Sequence, residues 1–231
     1  MNASTEGPPV FLLVPGAWHG AWCWVQLQKQ LHDRGWDSTA LDLPSTAMGS
    51  EHRADMYADA GVIRDTLAGL NRPVVLVAHS YGGIPATEAA ADAENVVEIV
   101  YLSAYRLNPG ESLLSAGASV PLPDGDIFVA TTEIQQLMFS DLNPAQRKWS
   151  AARLGPQSTQ AFRDPLTVTH GPDLCSSYIV TEGDQIMPVA FQEHMAARTG
   201  VTYRLRAGHS AFLSAAPELA DLLGHIAKAY S

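Results

Sequence analysis

Val74-Val75-Leu76-Val77-Ala78-His79-Ser80-Tyr81-Gly82-Gly83 decides the fold. An apolar, β-branched run stops at a Ser set among small residues. Two glycines and a helix-compatible segment follow. Strand, sharp turn carrying Ser, then helix is the layout of a nucleophile elbow, whose motif is G-x-S-x-G. The stretch has Ala78 in place of the first Gly. Ala is the smallest substitute, so the turn can still bring a following helix close to the strand. The plain alternative is a Ser that only caps a helix after a buried strand.

Working outward, Val10–Val14 is a short apolar run that reads as a strand buried on both faces. It runs into Pro15-Gly16-Ala17-Trp18-His19-Gly20, a loop suited to close backbone approach. Trp24, Leu27 and Leu31 recur at helical spacing up to Arg34, and Gly35 caps that helix. Asp37–Leu43 is a second strand stopped by Pro44, and Ser45–His52 is loop. Val62, Ile63, Leu67 and Leu70 mark the buried face of a helix starting near Ala54. An Ala-rich helix runs through Ala86–Ala93, and Val96–Leu102 is a further strand. Repeated β–α alternation predicts an α/β fold with a mostly parallel central sheet flanked by helices, because parallel strands need crossover connections.

From about Tyr105 to Asp173 the alternation breaks among Pro109-Gly110, Pro121 and Pro123-Asp124-Gly125. The spacing allows one short helix holding Leu137, Met138 and Phe139, and another over Ala145–Leu154. The stretch far exceeds an ordinary loop of ~4–6 residues, and it is too apolar for a disordered linker. It reads as an inserted cap over the carboxyl edge of the sheet, within a single domain spanning 1–231. The alternation resumes with strand Ser177–Thr181, helix Val189–Arg198 and strand Val201–Leu205. A last helix follows, facing inward through Leu219, Leu222, Leu223, Ile226 and Tyr230.

The chain has 231 residues, enough for one sizeable core and too few for two. The net charge is −10 with no Lys/Arg cluster, which argues against nucleic acid and anionic membrane as partners. Cys23 and Cys175 form no C-x-x-C and read as free buried thiols. Met1–Pro9 has no basic n-region of a signal peptide, and Val10–Val14 is too short to span a bilayer. Cytoplasm is the default compartment. No P-loop, no G-x-G-x-x-G after the first strand and no zinc-like His/Cys spacing is present, so neither cofactor nor metal is expected.

A Ser needs a base within reach, and the base needs a group that fixes its tautomer. In a parallel sheet such groups collect where strands end. Of eight histidines, His209 in Ala207-Gly208-His209-Ser210 follows the last strand and is the candidate base. His79 faces away from Ser80, as neighbours in an extended segment do. His32, His194 and His225 belong to solvated helix faces. His52 and His170 sit in loops with no strand leading to them. His19 follows the first strand and reads as part of the glycine turn. The candidate acid is Asp184, in the turn after Ser177–Thr181; Glu182 is the alternative, and Asp173 precedes the strand at the wrong end. An oxyanion needs two donors. Tyr81 N–H is one candidate, and Ala17 N–H, from the loop after the first strand, is the other.

These residues resemble the α/β-hydrolase superfamily, and within it the branch of plant methylesterases and hydroxynitrile lyases with their bacterial relatives. The resemblance rests on Gly16-Ala17-Trp18-His19-Gly20-Ala21-Trp22-Cys23-Trp24, Ala40-Leu41-Asp42-Leu43, His79-Ser80-Tyr81-Gly82-Gly83, Gly183-Asp184-Gln185-Ile186-Met187-Pro188 with Phe191-Gln192, and Gly208-His209. It implies Ser80, Asp184 and His209 as a triad, with Ala17 and Tyr81 N–H as the oxyanion hole. It also implies ester hydrolysis, because the lyases carry a Lys after the triad His and a Thr in the first loop. This chain has Ser210 and Gly16 at those positions. Many relatives have His-Gly where Pro15-Gly16 stands.

The expectation is therefore a hydrolase of a small or medium apolar ester, a methyl ester among them. Its pocket would be lined by Trp18, Tyr81, Met138, Phe139, Trp149, Met187 and Phe212. A C–C lyase or cyclase using the same site, and a receptor-like binder with a slow triad, are the rival readings. The branch often dimerises, which leaves a homodimer open.

Overall fold

The computed structural model describes residues 7–46, 54–117, 122–168 and 174–231. His52, Pro121, His170 and Asp173 lie outside the described residues, as do the first six residues and most of the loop before the second helix. In chain order the elements begin with β1 (Val10–Val14), a 3-10 turn (Ala21–Trp24), α1 (Val25–His32), β2 (Ser38–Ala40) and α2 (Met56–Gly69). Then come β3 (Val74–His79), a second 3-10 turn (Ser80–Gly82), α3 (Gly83–Ala90) and β4 (Val96–Leu102). The inserted segment holds β5 (Ile127–Phe128), α4 (Thr132–Met138), α5 (Pro144–Ala151), β6 (Gln157–Ser158) and α6 (Gln160–Arg163). The chain closes with β7 (Cys175–Thr181), α7 (Val189–Ala196), β8 (Val201–Leu205), α8 (Ala211–Ser214) and α9 (Ala216–Ala227).

Six strands form one sheet in the order β2-β1-β3-β4-β7-β8, and every neighbouring pair is parallel. β3 lies inside the sheet, paired to β1 from Val10↔Val74 to Val14↔Ala78 and to β4 up to His79↔Leu102. Its side chains alternate between two cores, as the two-residue period requires. Leu76 and Ala78 join α2, α3 and α7 through Ile63, Ile84 and Met195. Val75 and Val77 join α1 and α9 through Leu27, Leu31, Leu219 and Leu223. A parallel sheet covered on both faces needs near-continuous apolar strands, and that is why these runs show no polar alternation.

Two of the three short helices of the inserted segment are capped by side chains. The Thr131 side chain accepts the Ile134 N–H ahead of α4, and Asn143 and Gln146 form a reciprocal capping box around Pro144 at the head of α5. The segment docks over the carboxyl edge of the sheet, against the loops that follow β1 and β8.

Several expectations are corrected. β2 covers only Ser38–Ala40, because it is an edge strand and the chain beyond Ala40 leaves the sheet after one bond from Leu41 N–H to Leu13 O. The buried face of α2 is Met56, Asp59, Ala60, Ile63 and Leu67, with Val62 and Leu70 only half-buried. α4 ends before Phe139. The last helix is two helices, broken at Ala215 ahead of Pro217. Both cysteines are free, Cys23 buried, but Cys175 is exposed at the start of β7.

Candidate active site

Ser80 begins the turn after β3 with φ +52°, a left-handed conformation that L residues adopt only when their surroundings impose it. Its C=O accepts Tyr105 N–H at 3.1 Å. The turn closes because residues 82 and 83 lack side chains. A Cβ on Gly82 would overlap the Pro15 carbonyl oxygen, and one on Gly83 would lie 2.5 Å from the Tyr105 carbonyl oxygen. The loop after β1 approaches just as closely: a Cβ on Gly16 would lie 2.9 Å from Ser80 Cβ and 2.7 Å from His79 Nδ1. Gly16 and Ser80, the residues that precede the two expected donors Ala17 and Tyr81, are thus in direct contact. Tyr81 is second in its turn, so no helical carbonyl precedes its N–H.

Asp184 and His209 are brought together, with His209 Nδ1 2.7 Å from Asp184 Oδ2. Both are buried. The carboxylate is fixed on every side. Its Oδ1 accepts the N–H groups of Ile186 at 2.7 Å and Met187 at 2.8 Å. Its Oδ2 also accepts Thr181 Oγ1 at 3.2 Å and Gln192 Nε2 at 3.4 Å. Because the Thr181 hydroxyl donates to Asp184, the bond of 2.6 Å between it and Ser103 must run from Ser103 Oγ. Gln192 also spans Thr181 N–H and the Met187 carbonyl, which locks the turn. A carboxylate on Nδ1 fixes the proton there and leaves Nε2 as the basic nitrogen. Glu182 points elsewhere, toward Arg204 and Arg206 at 4.0 and 3.9 Å on the surface. The loop of His209 is held from the inserted segment, by Gly208 N–H on Asp141 and by Ser210 Oγ donating to the Met138 carbonyl.

His79 packs on Phe212 at 4.9 Å and His209 at 4.6 Å between ring centroids. Its Nε2–H donates to the His209 carbonyl at 3.0 Å. Burial, reinforced by the neighbouring histidines, holds its pKa well below the usual 6.5. His19 donates Nδ1–H to the Ala17 carbonyl at 2.9 Å, and burial lowers its pKa to about 4. Both rings are therefore neutral spacers. His32, His194 and His225 are exposed on their helices.

The expected pocket residues divide. Trp18, Met138, Phe139 and Met187 are buried in the core that contains the Ser80 turn and the inserted segment. The Tyr81 ring is in the same core, with its hydroxyl on Asp59 at 2.6 Å. Phe212 packs under the opposite sheet face, 4.6 Å from Trp24. Trp149 is 45% exposed, stacked under Arg153 and edge-on to Trp22. It lines an outer groove of about 640 Å³ with Trp22, Val25, Leu142 and Leu213, and that groove includes none of Ser80, Asp184 or His209. Sequence reasoning missed Asp59 and Gln157, and it singled out Gln192 only through the family resemblance, with no role. Asp59 left a signal, since it stands one turn before Ile63 on an otherwise apolar stripe.

Residues 11–222 match the alpha/beta hydrolase family, and the chain belongs to it. Among curated relatives, Methylesterase 10 of Arabidopsis thaliana is 25% identical over 96% of this chain and 92% of its own. A probable hydrolase of a Phoma species is 28% identical over 95% and 98%. Among solved structures, the methylesterase MES16 from Arabidopsis aligns with a TM-score of 0.81 at 26% identity, covering 95% of this chain and 99% of that one. A pyrethroid hydrolase from Sphingobium faniae gives 0.81 at 22% identity over 96% and 98%, a likeness of fold. No helix among the described residues is long and apolar enough to cross a membrane.

Proposed function

We propose that this protein is a serine hydrolase that cleaves a small or medium apolar carboxylic ester, a methyl ester in the first instance, through an acyl-enzyme. The observation that carries the reading is the 2.7 Å contact of Asp184 with His209 Nδ1, on the same sheet edge as a Ser held at φ +52°. In this reading His209 Nε2 takes the Ser80 proton as Oγ attacks the ester carbonyl. Asp184 holds the imidazole in the required tautomer and balances its developing charge. The N–H groups of Ala17 and Tyr81 receive the oxyanion. His209 then protonates the leaving alcohol, and afterwards activates the water that releases the acid. Whole-length likeness to proteins named as methylesterases supports the methyl ester.

Hydrolysis is favoured over cyanohydrin cleavage by two positions. Ser210 offers a hydroxyl already bonded to Met138 in place of an ammonium, and Gly16 has no room for a β-branched side chain beside His79 and Ser80. The test is p-nitrophenyl acetate turnover by the wild type and by Ser80→Ala. Turnover lost in the variant supports the reading, and equal rates in both overturn it. Ser210→Lys assayed for cyanohydrin cleavage checks the second argument; no gain means the missing ammonium does not explain the choice.

A further inference from the structure

The loop that carries Ala17 packs on the Ser80 turn through Gly16, while the peptide that follows Ala17 is held by the inserted segment. Trp18 has φ +63°, left-handed and without the freedom of glycine. All three of its hydrogen-bonding groups end on the insertion. Its N–H donates to Gln157 Oε1 at 3.2 Å, its C=O accepts Gly155 N–H at 2.9 Å, and its indole N–H donates to the Phe128 carbonyl at 2.9 Å. The Phe128 and Phe162 rings pack edge-on against the indole.

Gln157 then continues inward. It is fully buried, and its Oε1 also accepts Thr46 Oγ1 at 2.8 Å. Its Nε2 donates to Ser45 Oγ at 2.8 Å, and Ser45 Oγ donates in turn to Asp59 Oδ2 at 2.5 Å. Asp59 also accepts Ser45 N–H at 2.8 Å and the Tyr81 hydroxyl at 2.6 Å. One unbroken buried chain therefore joins the peptide beside Ala17 to the side chain of Tyr81. A buried Asp on a core helix facing a Tyr needs such partners, because desolvation without them is costly. The arrangement, however, does more than satisfy Asp59, since its two ends are the two residues whose neighbouring N–H groups would have to point at one oxyanion.

We infer that Gln157 and Asp59 are positioning residues for the oxyanion hole, so that docking of the inserted segment and assembly of the hole are one event. The inference rests on the hydrolase reading above. It places the fixing of Ala17 N–H on Gln157 through the Trp18 peptide, and the fixing of Tyr81 N–H on Asp59 through the phenol. Neither acid nor amide touches the reacting atoms. Oxyanion donors contribute to the rate only when held in place before reaction, and loosening them leaves ground-state binding in place while weakening the transition state.

The experiment uses the protein with Gln157→Met, which nearly keeps the volume and removes every side-chain hydrogen bond, and Tyr81→Phe, which removes one hydroxyl. Turnover of p-nitrophenyl acetate is measured beside binding of an alkyl trifluoromethyl ketone, whose serine adduct carries an oxyanion. Gln157→Met is expected to lower kcat by about 10–100-fold, short of the loss of a whole donor. KM should stay within about two-fold, because the interaction is made in the transition state. Ketone affinity should fall in parallel, and Tyr81→Phe should show the same split by about 3–10-fold, the worth of one hydrogen bond. A phosphonate should still label Ser80 to completion, showing nucleophile and base intact. If either folded variant keeps wild-type kcat and ketone affinity while losing only resistance to urea, the network is structural and the inference is overturned. Should Gln157→Met not fold, Tyr81→Phe alone decides. Absence of Ser80 labelling in the wild type would instead remove the hydrolase reading, and this inference with it.

Discussion

Asp184 has five donors and one task. Two backbone N–H groups hold Oδ1, while Thr181, Gln192 and His209 share Oδ2. With the carboxylate unable to turn, the imidazole it meets is fixed as well. Asp184→Asn preserves the shape but presents an amide to Nδ1, which favours the wrong tautomer. The expected loss is about 10⁴-fold in kcat, as for the orienting acid of other triads, with the thermal midpoint as control for folding. Glu182→Gln should leave kcat unchanged, since that carboxylate meets only Arg204 and Arg206; a comparable loss there would reassign the acid. The pairing of Asp184 with His209 was legible in the sequence because each residue sits in a turn after a strand. The role of Gln192 was not, because nothing in its spacing on α7 tells that its amide closes the turn of Asp184.

At the scale of elements, β3, the turn at Ser80 and α3 form one unit that works because its helix starts almost on top of its neighbours. Gly82→Ala should cost about 1–3 kcal/mol through overpacking against the Pro15 carbonyl, read as a lower urea midpoint. The same push would displace the loop after β1, so turnover should fall further than stability explains. The inner strands β1 and β3 were readable as apolar runs, because covering both faces of the sheet leaves no polar alternation to confuse the period. The edge strand β2 was overread, since Leu41 and Leu43 are apolar for a different reason: they join the core that holds α2 and Trp18 of the first loop. The insertion was readable as an interruption but not as a structure. Its two-residue strands β5 and β6 are 29 positions apart at Phe128 and Gln157, and their pairing is set by contacts that no local pattern carries.

Across the whole molecule, buried ionisable groups pull stability in opposite directions as pH changes. Burial raises the pKa of Asp59 to about 6, with Asp55 adding repulsion and Ser45 and Tyr81 opposing. The unfolded value is about 4, so between about pH 4 and 6 the folded state binds more protons, and stability falls as pH rises by up to about 3 kcal/mol. His19, lowered to about 4, and His79, lowered well below 6.5, act with the opposite sign. They bind fewer protons when folded, so their contribution rises with pH and is lost on acidification. Asp59→Asn removes the first slope and leaves the second. Urea midpoints of variant and wild type should therefore diverge in favour of the variant as pH rises from about 4 to about 6. Parallel curves would show that Asp59 does not titrate in that window.

The three ties of Trp18 to Phe128, Gly155 and Gln157 also bear on how such a protein can diversify. In this architecture the inserted segment is the natural place to reshape a binding cavity, being an addition to the strand–helix alternation that sets the fold. Here the same segment anchors a strained peptide of the first loop. Changes at solvent-facing positions such as Val129 disturb none of these three ties. Changes that move Gln157 or shift the β5–β6 register alter the rate for every substrate at once. Laboratory selection for a new ester should accordingly collect substitutions around these three anchors and leave the anchors themselves in place.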